Sequence, residues 1–463
     1  MQVTKINSSS ITANSFMLKP NFHMNFGKRR IERARKQGLE FQPLGNVVDK
    51  VFTGGIFKRV FVDEAEYGLP YISAQHMMNS NPLEVAKIIS KKYTPRQDDM
   101  SLKENQILIS CAGTVGNVKL ITKDLGGVIG SQDIIRVDAD NNKLLYGYLY
   151  AFLSSKTAYT YIQSFIYGSV VPRIEPNTLK KLPIPILSEE FQQKIHNLIT
   201  DAAQLRVEAN KLLKEAVEIF EKEIEKFVQT DILYKRNNTY SVPINILKNH
   251  NNRLDASYNS LWFDLFYNKL KTANVNLISI KDLSLRVFTP TIFKRVRTNN
   301  PDIGVPFLSG SDLLNAMPKF ENFLSKRMAN IDNYILKDGW LAIQDAGTIG
   351  YVTYVHKFLD GVSATNNLIR IIPNSSQNFN PYIFTFFKSK VGQKILSNFE
   401  FGSVQKHIDN HQISSLLIPI FDNILKNISD LVLSSMEKFG NACDKEKTAI
   451  DLIEKEIDQW QQL

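Results

Sequence analysis

The strongest constraint on this chain is that it contains one unit twice. VFTGGIFKRV (Val51 to Val60) returns as VFTPTIFKRV (Val287 to Val296), eight identities in ten at an offset of 236. Gly68, Pro70 and Ser73 fall on Gly304, Pro306 and Ser309 in the same register. The offset then becomes 234. There AGTVG (Ala112 to Gly116) matches AGTIG (Ala346 to Gly350), Arg136 falls on Arg370, and GSV (Gly168 to Val170) falls on GSV (Gly402 to Val404). Pro185 and Ile186 fall on Pro419 and Ile420, and EKEI (Glu221 to Ile224) matches EKEI (Glu454 to Ile457) at 233. One slowly drifting register of this length marks duplication, and a repeat of this kind decides the architecture.

Each copy has the same internal order. Runs rich in β-branched and aromatic residues (QILIS, NVKLIT and DIIRV; then WLAIQ, YVTYV and NLIRII) are punctuated by Gly and Pro. They predict short strands with turns, followed by a helix around Tyr146 to Ser164 and another around Tyr382 to Asn398. LPIPI, or LLIPI in the second copy, closes the segment. A long helix follows. Phe191, Ile195, Leu198, Ala202, Leu205, Ala209, Leu212, Ala216 and Ile219 alternate by four and three without Pro or Gly, which predicts a coiled-coil stripe. Met436, Phe439, Cys443, Ile450, Ile453, Ile457 and Trp460 keep that period in the second copy, with Glu446 interrupting it and Gly440 weakening it. The fold class expected is therefore mixed α/β (α+β). Two repeated globular domains would be separated by two long antiparallel helices, in a dumbbell of approximate twofold symmetry. The boundaries expected are a basic N-terminal segment at 1–40, a first domain at 41–187, a central helix at 188–230, a connector at 231–279, a second domain at 280–421 and a terminal helix at 422–463.

The chemistry available is narrow. The chain has no GxxxxGK[ST] loop, no GxGxxG after a strand, no HExxH and no Pro-Pro dipeptide. Its seven histidines are scattered, and no Ser-His-Asp set recurs at matching offsets. No catalytic or metal-binding residue is therefore assigned. Cys111 and Cys443 are too few for a disulfide framework or a zinc site and read as reduced thiols of a cytoplasmic protein. No apolar stretch has the length of an export signal or a membrane span. Lys+Arg 56 against Asp+Glu 46 gives +10, a basic excess that suits phosphate-bearing partners without requiring them.

Comparison of the two copies separates frame from variation. Phe57-Lys58-Arg59 equals Phe293-Lys294-Arg295, an aromatic followed by two cations. Phosphate positioning is the functional reading of Lys58, Arg59, Lys294 and Arg295, and a solvated basic turn is the alternative. Thr114 and Thr348, between glycines, are placed to donate to a phosphate or simply to pack a tight turn. Two segments differ between the copies, one between Ser73 and Gly113 and the other at VVPRIEPN (Val170 to Asn177) against VQKHIDNH (Val404 to His411). They carry side chains able to read base edges: Gln75, His76, Arg96 and Arg173, then Ser311, Asp312, Lys326, Arg327, Gln405, Lys406 and His407. A shared frame with divergent loops, presented twice, suits an asymmetric bipartite site on double-stranded DNA. A twin-domain scaffold that binds proteins across a coiled coil is the competing reading.

These residues also carry a family resemblance. AGTxG in each copy, GSVVPRIEPNTLKKLPIP, LPIPI-SEEFQQKI, RLDASY (Arg253 to Tyr258) and the heptad helices resemble the specificity subunit of type I restriction-modification systems, from about Leu44 to the C-terminus. The resemblance implies a non-catalytic protein with two target recognition domains. Its long helices would dock two N6-adenine methyltransferase subunits, here through Phe191, Ile195, Leu198, Leu205, Leu212, Ile450, Ile453, Ile457 and Trp460. ATP-dependent motor-nuclease subunits can join such a complex. The chain itself would bind no cofactor: S-adenosylmethionine belongs to the methyltransferase, and ATP and Mg belong to the motor. Gln405-Lys406-His407 replace Val171-Pro172-Arg173, so a contact by Arg173 does not carry over to His407. The basic stretch KRRIERARKQ (Lys28 to Gln37) has no visible counterpart before the second copy.

Overall fold

The computed structural model describes residues 8–13, 20–168, 170–229, 241, 244, 253, 258–259, 261–292, 294–347 and 349–462. The chain divides into two compact units, Met1–Val207 with Asn441–Leu463, and Glu208–Gly440. Each unit holds one globular repeat and about half of each long helix.

Among the described residues, unit 1 contains nine strands: β1 (Phe41–Pro43), β2 (Val48–Thr53), β3 (Gly68–Ile72), β4 (Lys87–Ser90), β5 (Ile107–Ser110), β6 (Val118–Leu120), β7 (Ile129–Gly130), β8 (Ile134–Ala139) and β9 (Pro183–Pro185). They form a four-stranded sheet β2-β8-β5-β6, a three-stranded sheet β4-β3-β7 and the pair β1-β9. Unit 2 repeats the plan with β10 (Asn276–Ser279), β11 (Ser284–Phe288), β12 (Arg297–Thr298), β13 (Gly304–Leu308), β14 (Phe323–Ser325), β15 (Leu341–Gln344), β16 (Val352–Tyr354), β17 (Ser363–Ala364), β18 (Leu368–Pro373) and β19 (Leu417–Ile420). Its sheets are β11-β18-β15-β16, β12-β14-β13-β17 and β10-β19; the β12 pairing of Arg297 with Leu324 is matched in unit 1 by a single bridge, Phe61 with Ile89.

Successive side chains on a strand face opposite ways, and both faces of the four-stranded sheet are covered. Ile107 and Ile109 of β5 enter the core beneath the helices, while Leu108 enters a second core under the small sheet. Leu341 and Ile343 against Ala342 repeat this in unit 2. Where the two sheets meet, Arg136 and Arg370 are completely buried. Arg136 donates to the carbonyls of Met100 (3.2 Å) and Gly130 (2.9 Å). Arg370 reaches the equivalent carbonyls of Tyr334 and Ala364 and also that of Thr365 (3.2 Å). The repeat retains this arginine as a clamp on backbone carbonyls; desolvation pushes Arg370 down to about 10.

Each helix expected after the last sheet strand is in fact two. Tyr146–Ser154 and Lys156–Gln163 are separated at Ser155, and Asn380–Lys388 and Lys390–Phe399 at Ser389. Ser155 Oγ accepts from the Ala158 amide (3.1 Å) and Ser389 Oγ from the Gly392 amide (3.2 Å), so each serine caps a new helix. Tyr148 and Tyr382 then donate to the Pro185 and Pro419 carbonyls (2.8 and 2.9 Å), fixing the proline strands to these helices.

The central helix spans Glu189–Glu225 and the C-terminal helix Asp422–Gln462, unbroken at Gly440. In unit 2 they run antiparallel, Ala209 lying by Ser435 and Phe220 by Phe421. Ile195, Ile453 and Ile457 are fully buried in the unit 1 core. They hold the helices to the domain and present no surface to a partner. Phe191, Leu198, Leu205, Leu212, Ile450 and Trp460 are half-buried.

The basic N-terminal stretch forms a helix, Phe26–Lys36, whose Ile31 and Ala34 are buried and whose Arg30 pairs with Glu454 (2.9 Å) and Asp458 (2.6 Å). Its counterpart lies in what reads from sequence as connector. Helix Leu261–Thr272 buries Trp262, Phe266 and Leu270 in unit 2. β10 is likewise the counterpart of β1, so the second repeat begins before residue 280. Of the RLDASY segment, Arg253 and Tyr258 are described; Arg253 donates to the Phe399 and Glu400 carbonyls (3.1 and 2.9 Å) and lies over the Tyr258 ring.

Candidate nucleic-acid interface

The retained motifs converge because of strand order. β2 and β5 both pair antiparallel with β8, with Thr53 opposite Ile135 and Ser110 opposite Ile134. The loop carrying Lys58 and Arg59 and the turn carrying Thr114 therefore leave the same edge of the sheet. The Arg173 segment joins them. Arg173 exchanges two backbone hydrogen bonds with Tyr167 (both 2.9 Å), and Gly113 donates to the Pro172 carbonyl (3.1 Å). The intervening tip turns at Gly168, where φ is +87° and a Cβ would fall 2.6 Å from the Val171 oxygen, so no side chain fits. Ser131 donates to the Ile72 carbonyl (2.9 Å), which brings Gln75 and His76 out beside the same edge.

Unit 2 builds the same edge. Phe401 and His407 exchange backbone hydrogen bonds of 2.9 and 2.8 Å, and Ile408 donates to the Asp345 carbonyl (2.9 Å). His407 thus takes the backbone place of Arg173, although its side chain is half-buried where Arg173 is exposed. Ser311 is exposed after β13, while the Asp312 carboxylate is engaged by Ser309 (2.6 Å). Thr348 lies outside the described residues.

Several candidate cations have acidic or aromatic neighbours. Arg96, in a left-handed conformation, pairs with Asp99 (2.8 Å) and its guanidinium lies beside Gly55. Arg173 faces Asp133 at 3.8 Å, and Lys406 pairs with Glu400 at 2.6 Å. Arg59 reaches the Tyr71 hydroxyl (3.4 Å), and Arg295 lies over the ring of Phe307, the equivalent residue. Lys58, Gln75, Lys294 and Gln405 are exposed. Burial, aided by Lys87, lowers the His76 pKa, which favours its neutral form.

Sequence comparison missed one shared feature. Ser90 donates to the Val60 carbonyl (2.8 Å) and Ser325 to the Val296 carbonyl (2.8 Å). Lys91 Nζ reaches the Glu66 carbonyl (3.1 Å) as Lys326 Nζ reaches that of Asp302 (2.8 Å). Lys326-Arg327 is therefore matched by Lys91-Lys92, and both pairs sit beside the Lys-Arg loops. The signal was SKK against SKR at an offset of 235, inside a stretch that reads as divergent. Among the described residues no group of His, Cys, Asp and Glu could hold a metal ion, and no helix is long and apolar enough to cross a membrane.

The family profile described as type I restriction modification DNA specificity domain matches residues 36–218 and 273–422. The type I restriction enzyme MjaIX specificity subunit of Methanocaldococcus jannaschii is 24% identical over 176 residues, covering 36% of this chain and 40% of that protein. Among solved structures, the S subunit of a type I restriction-modification system from M. genitalium aligns over 92% of this chain and 96% of its own at 14% identity, with a TM-score of 0.32. The HsdS subunit from Thermoanaerobacter tengcongensis aligns over 91% and 96% at 12% identity, with a TM-score of 0.28.

Proposed function

Because the chain belongs to the type I restriction modification DNA specificity family, we propose that it directs an N6-adenine methyltransferase to an asymmetric, bipartite DNA target. Members of this family recognise DNA and leave the chemistry to other subunits. Each unit would read one half-site, with the shared cations on phosphates and the divergent segments on base edges. The observation that carries this reading is the convergence, in each unit, of shared basic loops and divergent polar segments on one edge of the four-stranded sheet. Two methyltransferase subunits would dock on the long helices through the half-buried Phe191, Leu198, Leu205, Leu212, Ile450 and Trp460. S-adenosylmethionine would be bound by those subunits, and ATP and Mg by any motor-nuclease subunit that joins.

A base-resolution map of adenine methylation in the host, with and without this gene, tests the proposal. The expected result is loss of one asymmetric bipartite motif on deletion and its return on complementation. An unchanged map in cells that express the methyltransferase partner would refute it.

A further inference from the structure

Large apolar side chains left in water are informative when they cluster or recur. The four most exposed in the described chain are Ile56 (88%), Ile292 (89%), Val170 (91%) and Val404 (100%). They form two repeat-equivalent pairs, Ile56 with Ile292 at an offset of 236 and Val170 with Val404 at 234. The neighbours on one side have changed, while Phe57-Lys58-Arg59 and Gly168-Ser169 recur as Phe293-Lys294-Arg295 and Gly402-Ser403. Gly54-Gly55 became Pro290-Thr291, and Val171-Pro172-Arg173 became Gln405-Lys406-His407. The apolar side chain stayed in each case, although nothing in its own unit covers it.

The isoleucines stand on the loops that follow β2 and β11, the valines on segments that hydrogen-bond to the ends of β5 and β15 at the same edge, and cations accompany each. Lys58-Arg59 and Lys294-Arg295 follow the isoleucines, and Arg173 and Lys406 follow the valines. β2 and β5 flank β8, so in unit 1 the isoleucine loop begins about 10 Å, by strand spacing alone, from the β5 end where Ile174 donates to the Cys111 carbonyl and anchors the valine segment. That span is roughly three base steps of a duplex. An apolar tip backed by cations suits a polyanion with an apolar interior, and isoleucine is among the side chains that wedge between base steps.

We propose that Ile56 with Val170, and Ile292 with Val404, are groove wedges. Each enters the duplex groove and loosens a base step while the adjacent cations hold the phosphates. This rests on the DNA-recognition reading above and adds to it a role for residues that neither read base edges nor carry charge.

The test uses the full chain and a duplex bearing the mapped motif with 2-aminopurine placed across it. Ile56→Ala with Ile292→Ala should lower affinity roughly tenfold or more, as expected for lost burial of an isoleucine. The slope of log affinity against log salt should stay unchanged, and the 2-aminopurine signal should fall. Leu at both positions should restore affinity and signal. Lys58→Ala with Arg59→Ala should instead flatten the slope, by about 0.9 for each phosphate no longer neutralised. Unchanged melting temperatures would confirm that the tips carry no packing. Alanine variants with wild-type affinity and full 2-aminopurine signal would overturn the wedge. So would variants that bind DNA normally but no longer co-purify with the methyltransferase, since the tips would then be protein contacts and the DNA reading would stand. Duplex binding by the wild-type chain without salt dependence would remove both.

Discussion

Asp345 occupies in unit 2 the position that Cys111 occupies in unit 1, at the foot of the AGTxG turn. The same burial acts differently on the two. The Cys111 thiol is pushed up to about 11 and stays neutral near pH 7. Burial pushes the Asp345 carboxyl up to about 6, against the opposing pull of His407 and Arg370. Its folded value thus lies above the unfolded one. Any stability tied to this proton is complete below about pH 4 and is lost as pH rises through about 6. Asp345→Asn should therefore stabilise unit 2 by about 1–2 kcal/mol at pH 7.5, allowing for partial exposure, and by less at pH 5. Urea unfolding of both proteins at the two pH values measures it; an equal gap at both would refute the burial penalty. At this scale the sequence aligns Cys111 with Asp345 but carries no mark that the site is desolvated. Arg136 and Arg370 show the same limit. Their match is visible at an offset of 234, whereas their burial against carbonyls depends on two sheets meeting.

At the scale of elements, the heptad period is legible and its phase only in part: Ile195, Ala202, Ala209 and Ala216 of the expected stripe are buried. The buried face runs Ile195, Ile199, Ala202, Ala209, Leu213, Ala216, Phe220 and Ile224, so Leu198, Leu205 and Leu212 fall on its flank. The Glu446 that interrupts the stripe is an anchor. It is 3% exposed, paired with Arg206 (2.5 Å) and accepts from Tyr150 (2.7 Å). At the repeat-equivalent positions unit 2 has Leu213, Phe439 and Phe384, all in its apolar core. One unit thus uses ions where the other uses hydrocarbon. Glu446→Leu alone should cost about 3–5 kcal/mol, because it strands a buried guanidinium. Adding Arg206→Phe and Tyr150→Phe, which imports the set from unit 2, should recover most of that loss. Denaturant midpoints of the three proteins decide it. A penalty below about 1 kcal/mol for the single change would mean that the charge is not stranded.

For the whole molecule, duplication explains both the likeness and the difference of the units. Strand order, clamp arginine, capped helix break and retained basic pairs recur, while offsets of 236, 234 and 233 show loops absorbing small deletions. If the long helices separate two reading units, seven residues inserted in each add about 10 Å. The methylated motif should then gain about three base pairs of spacer with both half-sites unchanged. Altered half-sites in the methylation map would count against this. What the sequence determined by itself is the repeat, the mixed fold class, the existence of two long helices and the family, because these rest on local patterns and on identity between the copies. The tertiary structure alone decided which helix face is buried, that 261–272 opens the second repeat, and that SKK and SKR are one feature. It also decided that loops about 60 residues apart share one edge. Those outcomes depend on antiparallel pairing and on burial, which join residues distant in the chain and leave no periodic trace along it.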